Sequence, residues 1–112
     1  VARLDQRQDF QLEGSRIVYN SLSGSLENKV LEPLIVTVPP GLKKSETLTY
    51  THRGEEFGYV LKGALTMIID GECYVLGPGD SIHFDSSVPH HWENRTTEPV
   101  QALWILTPRL FY

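Results

Sequence analysis

Apolar and β-branched residues recur along this chain in short runs, separated by turn residues, with a period nearer two than 3.6. The runs "SRIVYN" (15–20), "EPLIVTV" (32–38), "SETLTYTH" (45–52), "FGYVL" (57–61) and "ALTMII" (64–69) each read as a strand. So do "ECYVL" (72–76), "SIHF" (81–84), "HHWEN" (90–94) and "VQALWIL" (100–106). Asp70–Gly71 between two of them is a hairpin signal, because that pair readily adopts the positive φ angles of a two-residue turn. Lys62–Gly63 and the "GPGD" of 77–80 punctuate two further boundaries. No segment keeps a helical apolar period over the ten or more residues a helix needs; "SLENKV" (25–30) allows a helical turn or a loop. Many short strands with frequent turns predict an all-β, antiparallel sandwich or barrel.

Composition narrows the partners. At 112 residues the chain is the size of one domain and can bury roughly two-thirds of its unfolded surface without staples. Ten Lys and Arg against fourteen Asp and Glu give a net charge of −4 with no basic run, which excludes phosphate-backbone binding by these residues. The single cysteine, Cys73, forbids an intrachain disulfide and is expected as a small hydrophobe in the core. The apolar runs are too short to span a bilayer and no signal-peptide pattern opens the chain, so the sequence predicts a cytoplasmic protein with no membrane partner. The first residue is Val1 and the one methionine is Met67, which predicts a piece of a longer protein. Residues 1–14 read as a linker tail leading into a first strand, and 15–112 as the folded domain.

Candidate chemistry concentrates in two places. In "THRGEEFGYVLKG" (51–63), His52 and Glu56 are four residues apart, but Gly54, Gly58 and the preceding threonines refuse a helix. The expected arrangement is a strand ending at His52, a turn through Arg53–Gly54, and a new strand near Glu56. His52 and Glu56 then face each other, Tyr50 shares the face of His52, and Glu55 points outward. A buried carboxylate at 56 requires a partner: a metal, His52, Arg53 or the Tyr50 hydroxyl. In "SVPHHWEN" (87–94), alternation puts His90, Trp92 and Asn94 on one face and His91 and Glu93 on the other. His90 beside His52 and Glu56 would make two imidazoles and one carboxylate, the facial set of non-haem iron sites, which also suits zinc, manganese or nickel. The same residues in a metal-free pocket would hydrogen-bond an effector. His83 and His91 are expected to face solvent. Trp92 and Trp104 read as large core or interface residues, with Trp92 the better candidate to line the pocket.

The spacing H-x3-E-x6-G (His52, Glu56, Gly63) resembles the first motif of the cupin superfamily, and H-x3-N (His90, Asn94) resembles the second. The resemblance implies a small antiparallel jelly-roll β-barrel, the double-stranded β-helix. Tyr50 stands where metal-binding cupins carry a further histidine, and Asp85 and Ser87 replace a usual Pro and Gly. From about residue 15 to 112 the succession of phrases is similar to the C-terminal cupin sensor domains of bacterial helix-turn-helix regulators of the xenobiotic-response-element type. That implies a cytoplasmic homodimer that binds a small-molecule effector near Tyr50, His52, Glu56, His90 and Trp92. DNA would be bound only through a helix-turn-helix domain outside this chain, and no residue would be catalytic. The alternative is a mononuclear metal-dependent oxygenase or epoxidase-like enzyme, with one divalent ion (Zn, Fe, Mn or Ni) on His52, Glu56 and His90. Tyr50 in place of a histidine favours the sensor.

Overall fold

The structure, a computed structural model, describes residues 1–44 and 53–107. The expected strand 45–52, and with it Tyr50 and His52, lies outside the described residues. After a 3-10 turn at Leu4–Gln6, the chain forms β1 (Asp9–Phe10), β2 (Val18–Ser21), β3 (Glu32–Val38), β4 (Glu55–Lys62) and β5 (Leu65–Ile69). It continues through β6 (Glu72–Leu76), β7 (Ser81–Asp85), β8 (His90–Glu93) and β9 (Val100–Thr107). Residues 25–30 form turns and no helix.

Two antiparallel sheets result: a six-stranded one ordered β1-β2-β3-β9-β4-β7 and a three-stranded one ordered β6-β5-β8. This is the antiparallel two-sheet architecture that the strand spacing predicts, and it agrees with the jelly roll that the cupin resemblance implies. Strict alternation drives it. Along β3, Glu32, Leu34, Val36 and Val38 are buried while Pro33, Ile35 and Thr37 are not; β9 buries Val100, Ala102, Trp104 and Leu106 in the same way. These faces meet Leu65 and Met67 of the smaller sheet in one core. Burial of each such Val or Leu contributes roughly 1.5–3 kcal/mol.

The turns divide by what they must do. Asp70 and Gly71, at φ +49° and +83°, close the β5–β6 hairpin within one sheet. Gly63 instead carries the chain from the large sheet to the small one. Its φ is +85°, and a Cβ there would lie 2.7 Å from the Pro99 carbonyl oxygen, so only glycine fits this corner.

Candidate functional site

Register decides which inward side chains meet. Across the large sheet Glu56 on β4 pairs with Leu106 on β9, and Gly58 pairs with Trp104. Glu56, Gly58 and Val60 are buried while Glu55 is exposed, as alternation requires. From the opposite sheet β8 sends His90 and Trp92 to the core face, where they pair with Ile69 and Met67. The two candidate clusters therefore converge between the sheets.

Their contact is direct. His90 Nε2 lies 2.9 Å from Glu56 Oε2, and both side chains are almost wholly buried (8% and 4% exposed). The other carboxylate oxygen, Oε1, accepts the indole N–H of Trp104 at 2.9 Å. His90 Nδ1 lies 2.8 Å from the carbonyl oxygen of Val88. A carbonyl and a carboxylate can only accept, so both ring nitrogens of His90 must donate, and the ring in this arrangement is an imidazolium. Val88 lies two residues before His90, the first residue of β8, so this bond ties the ring's Nδ1 edge to the chain just before the strand begins.

The electrostatics follow from this geometry. Burial pushes the Glu56 carboxyl up, but hydrogen bonds from His90 and Trp104 and the charge of His90 outweigh it, and the group sits below its ordinary value of 4.5. The buried Ser86 hydroxyl, which has no well-formed hydrogen bond among the described residues, adds a smaller pull in the same direction. Burial pushes His90 down, yet the Glu56 hydrogen bond, the Val88 carbonyl and the carboxylate charge hold it above 6.5. Aromatic rings wall the pair: Phe84 meets His90 edge-on at 5.0 Å, and Trp92 meets Trp104 at 4.7 Å.

Gly58 makes the Trp104 contact possible. A Cβ on Gly58 would lie 2.1 Å from Cζ3 of the indole, so the ring lies directly on the bare backbone of β4. From there its N–H reaches Glu56, two residues away on the same face. Trp104, Gly58, Phe84 and Ser86 were not singled out for the site by sequence. A glycine in mid-strand was the available signal, since it marks a close approach by another group.

Other residues take structural roles. Asn94 is fully buried; its amide donates to the carbonyls of Val38 (3.1 Å) and Glu98 (2.8 Å), and its Oδ1 accepts from Thr96 N and Oγ1. It pins a turn and a neighbouring strand. His83 is exposed and bonded to Glu55 at 2.7 Å, the outward position expected of both. His91 departs from expectation: it lies on the face opposite His90 but is buried, because its ring folds along its own strand onto Glu93 at 2.9 Å. Cys73 departs too. It is exposed, because β6 ends the three-stranded sheet and is solvated on both faces over most of its length. Its sulfur lies 3.9 Å from Arg95 Nη1.

Among the described residues no group of three His, Cys, Asp or Glu converges on a metal position. The two donors that are described do fit a divalent ion. Ligands at right angles, each about 2.1 Å from an ion, are about 3 Å apart, close to the 2.9 Å between His90 Nε2 and Glu56 Oε2. In the structure these two atoms are instead joined to each other as a hydrogen-bonded ion pair.

Known proteins place these features. The Cupin domain family matches residues 34–106. The HTH-type transcriptional regulator PuuR of Escherichia coli (strain K12) is 31% identical over 84 residues, covering 75% of this chain and 44% of PuuR. The chain thus spans under half the length of that curated relative. A cupin domain of an XRE family transcriptional regulator from Enterobacter cloacae superposes with TM-score 0.71 at 27% identity, covering 83% of this chain and 98% of that one. The Fe(II) form of HppE superposes with TM-score 0.78 at 25% identity, over 95% of this chain and 59% of that one. No helix among the described residues is long and apolar enough to cross a membrane. With the family match over most of its length and the two-sheet barrel around Glu56 and His90, the chain is a member of the cupin family and is related to the cupin domains of XRE regulators.

Proposed function

We propose that this chain is the small-molecule-sensing, dimerising cupin domain of a cytoplasmic transcriptional regulator, whose DNA-binding helix-turn-helix lies outside these residues. The observation that carries the reading is the buried Glu56–His90 pair clamped by Trp104. A preformed carboxylate–imidazolium pair in a buried aromatic setting offers an incoming polar molecule both a strong acceptor and a strong donor. An amine, an amino acid or an acid can exchange for one half of the pair. The similarity to PuuR and to the Enterobacter cloacae domain supports a regulatory setting. Tyr50 and His52 complete the proposed ligand set with Glu56, His90 and Trp92.

Sensing follows if the effector binds more tightly in one arrangement of the two DNA-binding domains than in the other. Breaking the Glu56–His90 bond frees the Trp104 ring to shift, and Trp104 sits in the central strand pair of the large sheet. The test is a thermal-shift screen of small amines, amino acids and carboxylic acids against wild type and Glu56→Gln. A ligand that stabilises wild type and not the variant supports the reading. The coding sequence upstream of Val1 is a second test: it should encode a helical DNA-binding segment of roughly 60–70 residues, a small module. A start codon directly before Val1 sinks the regulator reading.

One observation favours a second reading, a mononuclear metal-dependent cupin enzyme. The 2.9 Å between His90 Nε2 and Glu56 Oε2 is close enough for both atoms to bind one ion, which His52 would complete, and HppE is a structural neighbour described in its Fe(II) form. Such an ion, when bound, would supply Lewis-acid and redox chemistry at its open positions. The chain's own part would be to release the Nε2 proton of His90 and hold Glu56 in place through Trp104. Elemental analysis of wild type and His90→Ala after exposure to Fe(II) or Zn(II) separates the two: stoichiometric metal lost in the variant supports the enzyme.

A further inference from the structure

The segment before β1 and the loop after β2 enclose a cavity of about 340 Å³ that shares no residue with the Glu56–His90 site. Pairing of β1 with β2 brings the two together. Asp9 stands opposite Asn20 and accepts from its amide at 2.9 Å, and Phe10 stacks on Tyr19 at 5.3 Å. The lining includes Gln6, Arg7, Gln8, Ser21, Ser23 and Gly24, and its one charged side chain is Arg7. Arg7 Nε is buried with no hydrogen-bond partner, and the guanidinium makes no ion pair among the described residues. A buried donor left without an acceptor is rare in native structures and marks a place where something else accepts.

We propose that this cavity is a binding site for a small organic monocarboxylate, held by the Arg7 guanidinium. Nε and one terminal N–H of an arginine form a planar fork that matches the two oxygens of a carboxylate. The side-chain amides of Gln6 and Gln8 can donate to or accept from the rest of such a molecule. The volume lies in the range of small-molecule sites. The surroundings select a single charge. The Ser21 hydroxyl already donates to Glu32 Oε1 at 3.2 Å and accepts from the Ser23 amide at 3.3 Å, so it has no proton for an anion. The acid behind it, Glu32, already has its cation in Lys29 at 3.2 Å. With one guanidinium in the lining, a dianion such as phosphate would keep a charge without compensation.

One wall of the cavity is residues 6–8 and the other is residues 21–24. A bound carboxylate therefore ties the entry segment to the end of β2. On the regulatory reading that segment leads toward the DNA-binding domain, which gives the site a place in signalling; binding itself does not depend on that reading.

Proton–nitrogen correlation NMR tests the proposal, with the 112-residue chain titrated with sodium acetate, butyrate or benzoate at constant ionic strength. At least one of the three is expected to give saturable shifts at the backbone amides of residues 6–8 and 21–24. Butyramide, the neutral counterpart of butyrate, should give none, and inorganic phosphate should bind more weakly than the best carboxylate. Arg7→Lys keeps the charge and loses the fork, and should weaken binding roughly fivefold or more; Arg7→Gln should weaken it roughly tenfold or more. Peak dispersion in the same spectra reports whether each variant folds, and the wild-type titrations stand without them. Saturable shifts with none of the three carboxylates, or undiminished binding in a folded Arg7 variant, overturn the site. Tighter binding of phosphate overturns the carboxylate class. Saturable shifts confined to Glu56, His90 and Trp104 assign the carboxylate to the buried pair, which overturns this site and supports the sensing reading.

Discussion

Trp104 donates its indole N–H to Glu56 across the bare backbone of Gly58, with 2.9 Å between nitrogen and carboxylate oxygen. Three residues on two adjacent strands thus form one unit: a ring, the gap it lies in, and the acid it holds. Gly58→Ala would put a methyl 2.1 Å from a ring carbon of a side chain that is itself 1% exposed. The ring has to move, and overpacking of this kind costs about 1–3 kcal/mol. Losing the hydrogen bond to a buried carboxylate adds to that. Urea unfolding should show a lower midpoint with an unchanged slope. Trp104→Phe, which keeps most of the ring and deletes the donor, should cost about 1–3 kcal/mol through the orphaned carboxylate oxygen.

The Glu56–His90 pair makes a sharper forecast. Removing one partner leaves the other without its partner at an almost wholly buried position, so His90→Phe or Glu56→Leu alone should each destabilise by about 3–5 kcal/mol. The double variant removes both charges and should lose much less than the sum. A double-mutant cycle by denaturant unfolding measures the difference; additive losses would mean that the two side chains do not act as a pair.

How much of this could be read from the sequence depends on the range of the interaction. Alternation within a single strand was legible: it separated buried Glu56 from exposed Glu55, and it set His90 and Trp92, which meet Glu56 and Trp104, against His91 and Glu93, which bond each other. The Asp70–Gly71 hairpin was legible because its two residues fix the turn locally. The Trp104–Glu56 bond was not, since it joins residues 48 positions apart and depends on which strands pair. The burial of His91 and the exposure of Cys73 escaped for the same reason. Alternation assigns a face, but neighbouring strands and side chains decide whether that face is covered. His91 folds onto Glu93, whereas β6 lies at one end of its sheet.

Asn94 belongs to the recognisable second motif, yet its bonds run to backbone and to Thr96. Asn94→Ala would leave the Val38 and Glu98 carbonyls and the Thr96 amide without their partner at a fully buried position. A loss of about 2–4 kcal/mol is expected from the unsatisfied groups. Asn94→Asp keeps the acceptor for Thr96 and loses the two donated bonds, so it should also destabilise, with a charge buried in addition. Thermal unfolding checks both. Because Asn94 bonds neither Glu56 nor His90, any ligand found for the pair should bind folded Asn94→Ala with unchanged affinity.

The pH profile of stability separates the pair from the other ionisable groups. Glu56 titrates below its ordinary 4.5, so its contribution is complete above 4.5 and is lost as pH falls through the lowered folded value. His90 titrates above its ordinary 6.5, so its contribution is complete below 6.5 and is lost as pH rises through the raised folded value. Both are fully present only between about 4.5 and 6.5, and stability should fall on either side of that window. The acid limb is shared. Asp85 is held low by hydrogen bonds from Ser87, and Glu93, pushed up by burial, is held low overall by His91 and Arg95. The alkaline limb is the diagnostic one, because its source is the proton that His90 holds between Val88 and Glu56. Melting temperatures of wild type and Glu56→Gln from pH 4 to 9 make the comparison. Wild type should lose stability above pH 6.5, whereas Glu56→Gln, with no carboxylate to hold that proton, should be lower at pH 6 and nearly flat above it. An alkaline limb of equal depth in both would place the titrating group elsewhere and remove the imidazolium from the account of this site.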